Sequence, residues 1–288
     1  MTAGSYKEIN PLKLGMNIRN WGPTATPDFL RACAEAADQS TLDAIWFNDH
    51  IGLPPKIENN DYGIPDDMGA ILDPLAFGNF LAAVTRRIHF GTAVLIIPYR
   101  SAILTNKLIA TIQVLSNDRF LLGIGPGYLD EEFKALGVPR TRRGKITDET
   151  LAFLRETSTN PLIESNGQPF LLNPTLSLPP IYIGGKAQVA IPRSLKYGDG
   201  WMPVGMSPAQ LEGEIKSFRQ QAADLGKNPP EIVAMKTLPL ADMPQATELA
   251  QAYQEAGVTH LVHTQGYDSP AQYAEIVDAI DGTIRGEL

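Results

Sequence analysis

Short apolar runs rich in β-branched and aromatic residues alternate along the chain with longer stretches in which apolar residues return every three or four positions. Eight runs read as strands: Leu14 to Arg19, Ala44 to Phe47, Ile88 to Leu95, Phe120 to Ile124, Ile181 to Ile183, Trp201 to Val204, Ile232 to Leu238 and His260 to His263. Several of the stretches between them read as helices. Three open with a hydroxyl residue and a proline, at Thr26-Pro27, Ser207-Pro208 and Ser269-Pro270. A hydroxyl can cap the free N–H groups there, and proline lacks an N–H that the first turn would leave unpaired anyway. Asp28 sits near the positive end of the first helix, and Leu211, Ile215, Phe218, Ala222 and Leu225 stripe another that stops at Gly226. A helix from Ser101 to about Leu115 spaces Leu104, Leu108 and Ile112 one turn apart.

Eight strands separated by helices predict an α/β fold of the (β/α)₈ TIM-barrel type, in which active sites are built on the loops after the strands. An open doubly wound sheet is the competitor, but its glycine fingerprint is missing after the first strand, where Arg19-Asn20-Trp21-Gly22-Pro23 reads as a turn. Ile51 to Leu72 and Asn160 to Pro180 read as irregular insertions at the barrel mouth. No second periodic unit follows either, so residues 1–288 are expected to form one domain.

Composition adds exclusions. Apolar residues at 43% and charged residues at 19% describe a chain that buries a core. A net charge of −8 would repel nucleic acid and anionic lipid, so neither is an expected partner. No apolar run is long enough to span a bilayer, and MTAGSYKEIN lacks the apolar stretch of a secretory signal, so a cytoplasmic location is expected. Cys33, the lone cysteine, shares a helix face with Leu30, Ala34 and Ala37 and reads as a core thiol.

Barrel topology brings four strand ends to one rim. Asn48-Asp49-His50 places an amide, a carboxylate and an imidazole after an apolar strand, and His50 is a candidate proton donor or acceptor. The third strand runs apolar through Gly91-Thr92-Ala93-Val94-Leu95-Ile96-Ile97 to Pro98. Gly123-Ile124-Gly125-Pro126-Gly127-Tyr128 allows close backbone approach or simply a tight turn. Gly184-Gly185-Lys186 opens a helix, where free N–H groups, the dipole and a cation favour an anion; a plain turn with a solvated lysine reads the same. Arg140, Arg142, Arg143 and Lys145 cluster after the fourth strand, where they could attract an anionic ligand.

Taken with Leu72-Asp73-Pro74-Leu75, Thr85-Arg86-Arg87-Ile88-His89-Phe90-Gly91-Thr92, Leu115 to Gly125, Glu132-Phe133, Leu136-Gly137-Val138 and Gly198-Asp199-Gly200-Trp201, these pieces resemble the luciferase-like monooxygenase superfamily. Within it they resemble the branch of oxidoreductases that use the deazaflavin coenzyme F420. The resemblance runs from about Leu14 to Val204 and implies a (β/α)₈ barrel holding a flat tricyclic ring against the ends of the first four strands. It implies a bulged, non-prolyl cis peptide near Ala93-Val94 behind the ring, with Val94 and Ile96 as ring contacts. It makes His50 the acid or base and Asp49 its catalytic neighbour, hydrogen-bonded to the ring edge. Gly125, Gly127 and Tyr128 would flank the cofactor, Gly184, Gly185 and Lys186 would receive its phosphate, and Val204 and Gly205 would close that pocket.

The reaction so implied is hydride transfer between deazaflavin C5 and a small organic substrate, with FMN-dependent monooxygenation as the alternative and a non-catalytic flavin-binding barrel as a second. Asp61 to Leu72 would cover the pocket as a lid, and Trp21, Ile96, Ile97 and Trp201 would give it an apolar lining. A homodimer is the family expectation. Asn48, where many relatives carry serine, and Pro126 inside the glycine turn depart from the pattern.

Overall fold

A computed structural model describes residues 11–55, 64 and 68–288. Its barrel strands are β1 (Lys13–Asn17), β2 (Ala44–Phe47), β3 (His89–Ile96), β4 (Phe120–Gly125), β7 (Ile181–Gly184), β8 (Gly200–Met202), β9 (Glu231–Lys236) and β10 (His260–His263). Every neighbouring pair is parallel, and β1 pairs with both β2 and β10, so the barrel closes. All eight runs predicted as strands are its staves. Two further strands, β5 (Leu162–Ser165) and β6 (Gln168–Leu171), form an antiparallel hairpin in a segment predicted to be irregular. Asn166 and Gly167 at its tip both have positive φ, 50° and 74°, the pair of conformations a two-residue hairpin turn requires.

The outer layer comprises α1 (Pro27–Gln39), α2 (Pro74–Val84), α3 (Ala102–Ser116), the short α4 (Asp130–Ala135), α5 (Arg143–Thr159), α6 (Ala187–Tyr197), α7 (Pro208–Asp224), α8 (Met243–Glu255) and α9 (Pro270–Ala279). The three proline signals hold: Pro27, Pro208 and Pro270 each begin a helix. Ser269 Oγ accepts from the Gln272 N–H, and the Gln210 side chain accepts from the Ser207 N–H. Two faces were misjudged. Leu225 lies past the end of α7 and is exposed, and α3 buries Thr105, Ile109, Ile112 and Gln113 while Leu104 faces outward. The polar Asn106 and Gln113 are buried because they bond to Thr157 Oγ1 and the Ser177 carbonyl, partners that helical periodicity does not reveal. Cys33 is buried beside Leu30, Ala34 and Ala37 as expected. Among the described residues, no helix is long and apolar enough to cross a membrane.

The interior of the barrel is filled by Trp46, Leu121, Tyr182, Met202, Val233 and Val262, with a larger apolar shell between strands and helices. Close strand approach is enforced at glycines. A Cβ at Gly123 would lie 2.1 Å from the Thr92 carbonyl oxygen on β3, whereas one at Gly213, on the exposed side of α7, would meet nothing within 4 Å. Gly123→Ala is therefore expected to lower Tm by roughly 2–5 °C, an overpacking cost of about 1–3 kcal/mol. Gly213→Ala should raise stability by about 0.5–1 kcal/mol through helix propensity. Calorimetry on the two variants checks both signs.

Candidate active site

The carboxyl ends of the strands open into a cavity of about 1470 Å³. Every residue singled out at the four strand ends reaches it: Asp49 and His50 after β2, Ala93, Val94 and Ile96 on β3, Gly125, Gly127 and Tyr128 after β4, Gly184, Gly185 and Lys186 after β7, and Val204 and Gly205 after β8. The peptide between Ala93 and Val94 is cis, and the β3–β4 register shifts between Thr92 and Leu95. Val94 thereby lies over the neighbouring strands: a Cβ at Gly125 would come within 2.7 Å of its Cγ2, and one at Gly184 within 3.0 Å of its Cγ1. The glycines on β4 and β7 thus make room for one valine, so that Ala93, Val94 and Ile96 form an apolar shelf along one wall.

His50 is held from behind. Its Nδ1 lies 2.9 Å from Glu132 Oε2, whose carboxylate also accepts from Tyr99 Oη at 2.8 Å and from the Ile51 N–H at 2.6 Å. Burial alone would raise the Glu132 carboxyl, but hydrogen bonds from His50, Tyr99 and the Ile51 N–H, with the nearby imidazole charge, hold it below its usual range. An ionised Glu132 makes Nδ1 the protonated nitrogen and leaves Nε2 for chemistry on the cavity side. The ring meets Tyr128 edge-to-face at 6.2 Å. Nothing in the local sequence pairs Glu132 with His50, because 82 positions separate them; only its place after the fourth strand could have suggested it.

A depressed carboxyl stabilises the fold above its unfolded value, near pH 4.3, and that contribution disappears as pH falls through the lower folded value. Glu132→Gln should therefore be less stable than wild type at pH 7 by roughly 1–3 kcal/mol, with the gap narrowing on acidification. Urea midpoints measured at pH 7 and pH 3.5 check the sign.

Asp49 lines the cavity, and its carboxylate is held from the protein side. Its side chain is 0% exposed. Oδ2 accepts from Arg100 Nη1 at 2.7 Å and the Ile96 N–H at 2.8 Å, and Oδ1 accepts from Arg100 Nη2 at 2.9 Å. Burial pushes the Asp49 carboxyl upward against the lowering influence of the bidentate Arg100 fork and the Ile96 N–H. Burial also opposes the Arg100 cation, but hydrogen bonds and charge from Asp49 and Asp73 raise it further above its ordinary value. Asp73, reached by Arg100 Nη2 at 2.6 Å, caps α2 by accepting from the Leu75 and Ala76 N–H groups. Asp49 thus stands at the cavity wall as a strut that ties the end of β2 to β3 and α2 and so helps place His50.

At the opposite wall, Lys186 is the N-cap residue of α6, and Gly185 before it adopts φ +126° with nothing within 4 Å of where a Cβ would stand. Trp201 Nε1 donates to the Gly185 carbonyl at 2.8 Å, steadying the corner. Arg140, Arg143 and Arg193 also face the cavity, against Asp130 and Glu131, whereas Arg142 and Lys145 are exposed and take no part in its lining. Trp21 and Ile96 line the cavity as expected; Ile97 and Trp201 belong instead to the buried core. Of the proposed lid, Ile64 and Met68 line the cavity, Ile71 bridges Trp21, and the remainder from Asp61 to Asp67 lies outside the described residues. Asn20, overlooked in the sequence, is fully buried and ties three loops by donating to the Asn48 and Leu72 carbonyls and accepting from the Asn48 N–H.

The family model for luciferase-like monooxygenases matches residues 14–282. A phthiodiolone/phenolphthiodiolone dimycocerosates ketoreductase of Mycobacterium kansasii is 28% identical over 223 residues, 70% of this chain and 60% of that one. An F420-dependent secondary alcohol dehydrogenase, solved in complex with an F420-acetone adduct, shares the fold with a TM-score of 0.77 at 16% identity, over 96% of this chain and 99% of that one. So does the FMN-bound oxygenating component of 3,6-diketocamphane monooxygenase from Pseudomonas putida, with a TM-score of 0.75 at 13% identity over 96% and 99%. A closed parallel barrel, a cis peptide at the predicted step of β3 and a family match across nearly the whole chain converge, and the chain belongs to the luciferase-like monooxygenase family.

Proposed function

We propose that this protein is an F420-dependent oxidoreductase that interconverts a carbonyl compound and its alcohol. The observation that carries the reading is His50, poised at the cavity with Nδ1 held by an ionised Glu132, next to an apolar shelf and across from a cationic corner. The cavity suits the cofactor: Ala93, Val94 and Ile96 offer an apolar surface to a flat ring, and the backbone at Gly185 leaves open the space a side chain would fill. Lys186 and the free N–H groups at the start of α6 would hold a phosphate, with Arg140, Arg143 and Arg193 toward the acidic tail. When bound, F420 supplies a hydride carrier with carbon in place of flavin N5 and little reactivity toward oxygen.

In carbonyl reduction His50 delivers a proton from Nε2 to the substrate oxygen; in alcohol oxidation it receives one there. Glu132 holds the tautomer and the orientation of the ring. Tyr99 and the Ile51 N–H keep that carboxylate in place. The ketoreductase relative and the alcohol dehydrogenase neighbour support carbonyl–alcohol chemistry.

FMN, as in the camphane monooxygenase neighbour, is the competing cofactor. Titrating the purified protein with F420 and separately with FMN, followed by fluorescence, decides between them. Tighter binding of F420 and substrate turnover without oxygen consumption are expected. Preferential FMN binding with oxygen uptake overturns the proposal.

A further inference from the structure

The cavity has a second polar corner that the cofactor assignment does not use. In the closed barrel β1 stands directly across from β7, so the loop after β1 faces the Lys186 corner from the far side. Arg19, Thr237, Thr264 and Gln265 line the cavity there, after β1, β9 and β10.

Arg19 is set as a receptor. Its guanidinium lies 4.2 Å from the Trp21 ring centroid and 5.7 Å from that of Tyr267. Stacking engages the face of the planar cation and leaves its in-plane N–H groups to bond at the edge. Its backbone N–H is fixed by Tyr267 Oη at 2.7 Å, and Nη1 donates to the Tyr267 carbonyl at 3.2 Å. Nε is buried with no hydrogen-bond partner. Among the described residues no carboxylate forms an ion pair with it, in contrast to Arg100, Arg140 and Arg193 at the same cavity or just behind it.

A second donor follows from a tautomer. The Leu238 N–H donates to His263 Nδ1 at 3.1 Å, so that nitrogen carries no proton and Nε2 carries it. Nε2, 3.0 Å from Gln265 Oε1, must donate to it, which fixes the orientation of the amide. Burial lowers the His263 imidazole, in keeping with a neutral ring. Gln265 is further locked by exchange with Asn17: its N–H donates to Asn17 Oδ1 at 3.1 Å, and Asn17 Nδ2 donates to its carbonyl at 3.4 Å. The acceptor atoms of Gln265 and Asn17 are engaged internally and the Thr237 hydroxyl donates to the Thr264 carbonyl, so the strong donors left for a ligand are the Gln265 NH₂ and the Arg19 cation, with the two threonine hydroxyls beside them.

We infer that the corner formed by Arg19 and Gln265 binds a carboxylate of the substrate, making the substrates carboxylate-bearing ketones or secondary alcohols. The inference rests on the carbonyl–alcohol reading of the site. Since β1 adjoins β2, the carboxylate sits on the strand next to the one that delivers His50, with Asn20 joining the two loops.

The test reads binding without turnover. Isothermal titration of the protein, with and without F420, uses hexanoate and benzoate against their uncharged isosteres hexanamide and benzamide. Wild type should bind the carboxylates at least about tenfold more tightly than the amides. Arg19→Met should abolish that preference, Arg19→Lys should retain part of it, and Lys186→Met should leave it intact. Should Arg19→Met fail to fold, Gln265→Met is expected to reduce the preference severalfold. Equal binding of acids and amides by wild type, or a preference lost only in Lys186→Met, overturns the inference. Loss of the carbonyl–alcohol reading would appear separately, as carboxylate selectivity without hydride transfer to any ketone.

Discussion

With His50 replaced by alanine, turnover of a carbonyl substrate by the F420-loaded protein is expected to fall by about 10²- to 10⁴-fold, the usual contribution of a positioned acid or base. The F420 titration curve should remain nearly superimposable on that of wild type, because His50 borders the cavity at β2, away from the Lys186 corner after β7. Glu132→Gln should fall less, since an amide can still accept from Nδ1 but no longer balances an imidazolium. A distinguishing signature is the split between kcat and KM, with kcat falling in both variants while KM changes little. Unchanged turnover in His50→Ala would remove the imidazole from the mechanism altogether.

The largest stability effect is expected at Arg100. Replacing it with methionine leaves the Asp49 carboxylate, whose side chain is 0% exposed, without its bidentate partner and removes a partner of Asp73. Breaking such a buried pair costs about 3–5 kcal/mol, because an uncompensated charge stays behind in the protein interior. Asp49→Asn introduced alongside should recover part of that loss, as a neutral amide tolerates burial better than an orphaned carboxylate. Chemical denaturation of the two single variants and the double variant forms a cycle; strict additivity would mean that the ion pair contributes nothing.

The contrast between these two residues bears on what a sequence discloses. The barrel was legible because strands such as Ala44–Phe47 and Ile181–Gly184 are buried on both faces, which makes them continuous apolar runs, and because proline and glycine mark many helix ends. His50 was legible because an imidazole after such a run is unusual. The identity of its partner was not, since Glu132 meets it only through the closure of β2, β3 and β4 side by side. Arg100 escaped notice for the same reason, 51 positions from Asp49. The fork that Arg100 makes to Asp49 was likewise hidden, because it joins the loop after β2 to the end of β3. The hairpin at Asn166-Gly167 carried a turn signal that was passed over in a stretch otherwise short of apolar alternation.

The connection from β2 to α2 is fastened at its two ends by residues that belong to other parts of the chain. Glu132 takes the Ile51 and Gly52 N–H groups at its beginning, while Asn20 and Arg100 secure Leu72 and Asp73 at its end. Paralogues could therefore lengthen, shorten or rewrite the span in between while the His50–Glu132 pair stays in register. Evolutionary change in this barrel has a place to accumulate that leaves the geometry around His50 alone.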